Sequence, residues 1–234
     1  MIKLIASDMD GTLLNNKHEI DEETAEAIRK AEEEGIIFVI STGREYENVK
    51  YVLDKRSIKC QCILSNGAEY RDENGNILDV INAEKERFFT CLKYIVDVEK
   101  FFEDGIEIRK FVAFHEEIEL INRMKKTIEK IKGLAVSSSF NDNIEVTDIN
   151  AQKGIILEKV ITKMGIDKKD VMILGDSFNE YSMFEIFEES VAMKNAIPEV
   201  KKIAKYITDT NDNQGVAKAI YNVLNNEMDN MKKI

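Results

Sequence analysis

The sequence predicts a doubly wound α/β core on a mainly parallel sheet, with a smaller α+β unit inserted into it. Three observations predict it. Short apolar runs alternate with amphipathic segments at both ends of the chain. The runs at 36–40 and 171–174 are apolar throughout, as strands covered on both faces should be. Residues 83–148 break that rhythm with long charged segments and alternating strands.

The elements follow in order. Residues 2–6 read as a strand. Residues 22–34 read as a helix: Asp21 is placed to cap it, Ala25, Ile28 and Ala31 share one face, and Gly35 stops it. A strand over 36–40, a helix over 46–53 and a buried strand over 60–64 come next. Residues 68–80 read as a hairpin, because Glu73-Asn74-Gly75-Asn76 carries turn chemistry between two alternating runs. In the middle, 84–102 and 116–131 read as charged helices, and 106–114, 134–140 and 144–147 as strands of a sheet with one polar face. The core then resumes with a helix over 154–164, a strand over 171–174 and short strands near 191–193 and 206–208. The expected division is 1–82 with 149–234 for the core and 83–148 for the insertion.

A chain of 234 residues holds one large α/β domain with room for such a second unit. Its 44% hydrophobic and 33% charged content is that of an ordinary globular protein. A net charge of −11 excludes a general nucleic-acid or acidic-membrane binder, since both need a basic footprint. A small anionic substrate stays compatible where a local cation overrides that field. Cys60, Cys62 and Cys91 are too few and too irregularly spaced for a disulfide framework or a zinc site. Cys60 and Cys62 share one face of a strand and read as small core residues. No apolar run approaches a membrane span, and Asp8 and Asp10 come too early for a signal-peptide core. The expected setting is reducing and cytoplasmic.

Three polar clusters each follow directly on a buried strand: Asp8-Met9-Asp10-Gly11-Thr12, Ser41-Thr42-Gly43-Arg44 and Gly175-Asp176-Ser177-Phe178-Asn179-Glu180. In a parallel sheet they all fall on the carboxyl edge, where open α/β sheets bind ligands. Asp8, Asp10, Asp176 and Glu180 then crowd together, and four carboxylates need a hard cation with oxygen ligands, which Mg²⁺ fits best. Ser41, Thr42 and Gly43 offer a hydroxyl and backbone N–H groups suited to a phosphate. Lys153, straight after the insertion, supplies a compact positive charge. These parts compose a phosphoryl-transfer site. Asn66-Gly67 reads as a turn, with a substrate-side role as the alternative. His115-Glu116 opens like a zincin motif, but Glu119 stands where the second histidine belongs. No P-loop and no G-x-G-x-x-G fingerprint is present.

Taken together, DMDGTLL, STGR, SNGA at 65–68, Lys153-Gly154, GDSFNE, VAMKNA at 191–196 and the run from Asn211 to Gly215-Val216-Ala217 resemble the haloacid dehalogenase superfamily of phosphohydrolases. The resemblance is to its Cof-like branch, with a large cap between the second and third motifs. It implies a Rossmann-like core and a role for each matching position. Asp8 would attack phosphorus and carry an aspartyl phosphate. Asp10 would protonate the leaving oxygen and then activate water. The Asp8 carboxylate, the Asp10 main-chain carbonyl and Asp176 would hold Mg²⁺. The main chains of Met9 and Gly43, with Thr42, Lys153 and Asn179, would hold the phosphate. Glu180 stands where many relatives have Asp, and is expected to serve the metal directly, through water, or by orienting Lys153. The activity implied is a Mg²⁺-dependent phosphatase for small phosphorylated metabolites such as sugar phosphates. The alternatives are a phosphomutase using the same nucleophile and a catalytically weakened regulatory relative. Arg109, Lys110 and His115 are the insertion's candidates for setting specificity.

Overall fold

The computed structural model describes residues 1–83, 107–138 and 141–233. The chain begins with β1 (Leu4–Ser7), α1 (Glu22–Glu33), β2 (Ile37–Ser41), α2 (Tyr46–Asp54) and β3 (Gln61–Leu64). Asp21 caps α1 by accepting a 2.7 Å hydrogen bond from the Thr24 N–H, and Ala25, Ile28 and Ala31 form its buried face. The hairpin is β4 (Glu69–Arg71) and β5 (Ile77–Val80). Then come β6 (Phe111–Phe114), α3 (Ile118–Ile128), β7 (Leu134–Ser137) and β8 (Asn143–Asp148). The return half is α4 (Lys153–Met164), β9 (Val171–Gly175), α5 (Tyr181–Ile186), β10 (Glu189–Ala192), α6 (Pro198–Ile203), β11 (Tyr206–Ile207), α7 (Gly215–Leu224) and β12 (Lys232–Lys233). The helix expected over 84–102, with Cys91, lies outside the described residues.

Nine strands form one sheet in the order β12-β11-β10-β9-β1-β2-β3-β4-β5. From β11 to β3 every pairing is parallel, and the pairings of β12, β4 and β5 are antiparallel. The hairpin thus extends the main sheet, because a tight turn returns the chain antiparallel to itself. β1 lies at the centre, between β2 and β9, with Ser7 opposite Ile40 and Leu174. Here the strand order reverses, so the loops leaving β1, β2 and β9 surround one crevice at the carboxyl edge.

A second sheet, ordered β6-β8-β7, is wholly antiparallel. It has its own apolar cluster, in which Ile121 and Ile128 of α3 pack on Leu134, Ile144 and Val146. The main cluster covers both faces of the large sheet and takes in Cys60 and Cys62, both buried free thiols. No described helix is long and apolar enough to cross a membrane.

Candidate active site

The loop leaving β1 turns sharply over Met9–Leu13. Met9 is fully buried and anchors it, while the Asp8 N–H donates to the Leu174 carbonyl at 3.0 Å. Gly11 has φ +77°, and a Cβ there would stand 2.5 Å from Asp176 Oδ2. Only glycine gives both the left-handed turn and the room for that carboxylate. Thr12 Oγ1 donates to Asp176 Oδ1 at 2.9 Å, which ties the first and last clusters together. The late motifs support the same loop: Asn195 Nδ2 donates to the Gly11 carbonyl at 2.7 Å and Asn211 Nδ2 to the Leu14 carbonyl at 2.8 Å.

Lys153 opens α4 and is completely buried. Its Nζ donates to Asp8 Oδ1 at 2.6 Å and to Glu180 Oε1 at 2.5 Å. Glu180 Oε2 accepts from the Ser177 N–H at 2.9 Å and lies 3.2 Å from Ser177 Oγ. Both Glu180 oxygens are therefore engaged by protein donors, although all three carboxylates, Asp8, Asp176 and Glu180, have oxygens within 4.8 Å of one another. Burial would lower the Lys153 ammonium's pKa, but the charges of Asp8 and Glu180 outweigh it and hold the group protonated. Burial, with the Glu180 charge second, pushes the Asp8 carboxyl well above the usual range against the pull of Lys153. Asp176 is pushed up to about 7, by burial first and Glu180 next. Three buried or half-buried carboxylates thus face one ammonium, an excess of negative charge that a divalent cation would relieve.

Asp10 stands apart from that cluster. Arg44 grips its carboxylate with two bonds, Nε to Oδ2 at 2.8 Å and Nη2 to Oδ1 at 2.5 Å. The motifs alone give Arg44 no role, and the adjacency of the β1 and β2 ends is the signal that brings it to Asp10. Thr42 is buried, and its Oγ1 accepts from the Arg44 N–H at 3.2 Å. Asn179 Oδ1 accepts from Ser177 Oγ at 2.5 Å.

The second sheet leans on this edge. Lys110 Nζ donates to the Gly43 carbonyl at 2.7 Å and to Glu145 Oε2 at 3.3 Å. Arg109 pairs with Glu69, a buried carboxylate of β4 that Arg71 also binds. Both therefore make contacts to the core. His115 is exposed and accepts from the Glu117 N–H at 2.9 Å, and among the described residues no contact brings it to the site. Between the sheets lies a cavity of about 270 Å³, walled by Lys153, Asn179 and Phe178 on the core side and by Ser137, Thr147 and Lys125 on the other. Lys125 Nζ sits 5.4 Å from the centre of the Phe178 ring.

Comparison with known proteins agrees with this arrangement. A family model described as haloacid dehalogenase-like hydrolase matches residues 5–102 and 93–220. Two Bacillus subtilis proteins, YcsE and YwtE, are both named 5-amino-6-(5-phospho-D-ribitylamino)uracil phosphatase. YcsE is 37% identical over 235 residues, covering 94% of each chain. YwtE is 28% identical over 286 residues, covering 97% of this chain and 99% of its own. A solved haloacid dehalogenase-like hydrolase from B. subtilis superimposes with a TM-score of 0.89 at 26% identity, covering 94% of this chain and 99% of that one. With the motifs gathered at one sheet edge and most of the chain matched, the protein belongs to the haloacid dehalogenase-like hydrolase family.

Proposed function

We propose that the protein is a Mg²⁺-dependent phosphatase that hydrolyses small phosphomonoesters through a phosphorylated Asp8. The protein is an enzyme, a phosphoric monoester hydrolase of haloacid dehalogenase type. The observation that carries the finer reading is the buried Asp8 carboxylate, held at 2.6 Å by Lys153 with Asp176 beside it at the sheet's carboxyl edge.

The chemistry follows from those positions. Lys153 holds Asp8 Oδ1, which leaves Oδ2 to attack phosphorus in line with the departing oxygen. The phosphorus–oxygen ester bond breaks as the acyl phosphate forms, and Asp10 gives its proton to the leaving alkoxide. Asp10 then takes a proton from water, whose oxygen attacks the acyl phosphate, and inorganic phosphate leaves with Asp8 restored. Arg44's paired bonds hold Asp10 as the carboxylate, the form that takes the proton from water. To act as the acid in the first step, Asp10 would leave that pairing and turn to the leaving oxygen. Thr42, Gly43, Lys153 and Asn179, with the Met9 main chain, would receive the phosphoryl oxygens. The charge excess fits a hard divalent cation. Asp8, Asp176 and the Asp10 carbonyl would hold Mg²⁺, and Glu180, occupied by Lys153 and Ser177, would serve it indirectly. When bound, the ion supplies neutralising charge for the phosphoryl oxygens.

Residues 1–82 with 149–234 are proposed as the catalytic core and 83–148 as a cap over it, which the separate sheets and apolar clusters support. Substrates are proposed to be phosphorylated sugars, polyols or related metabolites, supported by the activity named for both B. subtilis relatives. The buried free thiols and the acidic net charge support a cytoplasmic enzyme that engages neither nucleic acid nor membrane.

Phosphate release from a phosphomonoester panel, with and without Mg²⁺, tests the reading. Asp8→Asn is expected to reduce turnover at least about 1000-fold while the fold persists, because an amide is a poor nucleophile of nearly equal size. Beryllofluoride should occupy the wild-type site and not the variant's. Near-normal turnover of the variant would sink the assignment of Asp8.

A further inference from the structure

Asn66 occupies a place that a simple turn does not explain. It lies just past β3, where Ser65, Asn66 and Gly67 have successive φ values of +50°, +60° and +102°. Two non-glycine residues in the left-handed region are a strained run, of the kind that concentrates at functional sites. Its main chain is tied to the phosphate loop, with the Asn66 N–H donating to the Thr42 carbonyl at 3.1 Å. The residue is 4% exposed, and its side chain is wedged between that loop and the second sheet. Nδ2 donates to Glu145 Oε2 at 2.5 Å and lies 3.4 Å from Ser137 Oγ. A carboxylate accepts and never donates, so Glu145 fixes which way the carboxamide faces. Oδ1 is thereby left buried with no donor among the described residues. Buried acceptors without a donor are rare in native proteins and call for a partner from outside the chain.

The surroundings say what that partner carries. A Cβ on Gly43 would stand 2.9 Å from Asn66 Oδ1 and 3.4 Å from Glu145 Oε2, so only a glycine lets the phosphate loop lie directly against the carboxamide oxygen. Asn66 and Ser137 are both in the wall of the cavity that Lys153 and Asn179 share. An oxygen acceptor backed by a carboxylate is a poor neighbour for an anion. It suits a hydrogen-bond donor attached close to the ester oxygen of a bound phosphomonoester.

We propose that Asn66, oriented by Glu145, is a specificity-determining residue whose Oδ1 accepts a hydrogen bond from a hydroxyl or amine of the leaving group. The enzyme then favours polyol-type phosphates over those bearing a carboxylate at the same position. The inference rests on the phosphatase reading above.

The test compares glycerol 1-phosphate, with a hydroxyl beside the ester carbon, and phosphoglycolate, with a carboxylate there. p-Nitrophenyl phosphate, which has no donor, reports whether the wild-type site works at all. If the wild type hydrolyses none of the three with Mg²⁺, the phosphatase reading fails and not this inference alone. With an active wild type, Asn66→Gly keeps the left-handed backbone but loses the bond to Glu145, so urea unfolding first establishes that the variant is folded under the assay conditions. The glycerol phosphate-to-phosphoglycolate ratio of kcat/KM should fall roughly 10- to 100-fold in the variant, the scale of a lost buried hydrogen bond. Glu145→Gln, which frees the carboxamide to turn over, should lower the same ratio. An unchanged ratio in Asn66→Gly, or a parallel loss on all three substrates, overturns the proposal.

Discussion

Glu180 commits one oxygen to Lys153 and the other to Ser177, so its longer side chain reaches protein donors where a metal ligand would turn outward. Glu180→Gln keeps the shape and removes the charge that holds Lys153 in line with Asp8. The expected result is a weakening of apparent Mg²⁺ affinity by about 10–100-fold with turnover retained at saturating metal. Mg²⁺ titrations of activity measure it, and complete inactivity at high Mg²⁺ would make Glu180 more than a positioning residue. Asp176 carries a second prediction. Its carboxyl pKa moves from 3.8 to about 7 on folding, by burial and the Glu180 charge. Between those values the folded chain binds a proton that the unfolded chain has released. Without divalent metal, this group's contribution to stability therefore falls as pH rises from about 4 to 7 and stays low above that. In EDTA, the Tm of Asp176→Asn relative to wild type should be higher at pH 8 than at pH 5. Saturating Mg²⁺ should reverse the order at pH 8, because metal binding draws on the ionised carboxylate.

The elements decide which of these residues meet. β1, β2 and β9 run in parallel side by side, so clusters at 8–12, 41–44 and 175–180 leave the sheet at one edge. The turn after β1 is the tightest constraint among them. Gly11→Ala would force a Cβ into the left-handed region and within 2.5 Å of Asp176 Oδ2. A loss of about 1–3 kcal/mol is expected from the backbone strain, read from urea unfolding. Mg²⁺ affinity should fall as well, since Asp176 must move. A variant with wild-type stability and metal affinity would show that the loop relaxes freely.

At the scale of the whole molecule, the two sheets have separate apolar clusters and meet through polar contacts, Lys110 on the Gly43 carbonyl and Glu145 on Asn66 among them. Such a division lets specificity and chemistry be separated. Replacing residues 83–148 with a short linker should preserve hydrolysis of a small activated phosphate and erase the ranking among metabolites. Circular dichroism and urea unfolding establish that the remaining core is folded before rates are compared. If the ranking persists in the shortened protein, discrimination resides in the core.

Alternation of apolar runs with amphipathic helices made the parallel core legible, because strands buried on both faces must be apolar and their crossovers amphipathic. The clusters around Asp8, Thr42 and Asp176 were legible for the same reason: parallel strands send all their following loops to one edge. The hairpin at 68–80 was legible as a hairpin, whereas its joining the main sheet depended on pairing of β3 with β4, which turn residues do not encode. Only the tertiary structure decided that Arg44 grips Asp10, that Glu180 turns both oxygens inward, and that Asn66 lies between Gly43 and Glu145. Residue types and strand order set which groups share an edge. Which atoms bond there depends on side-chain directions and on the docking of the second sheet, and these are settled by packing between segments far apart in the chain.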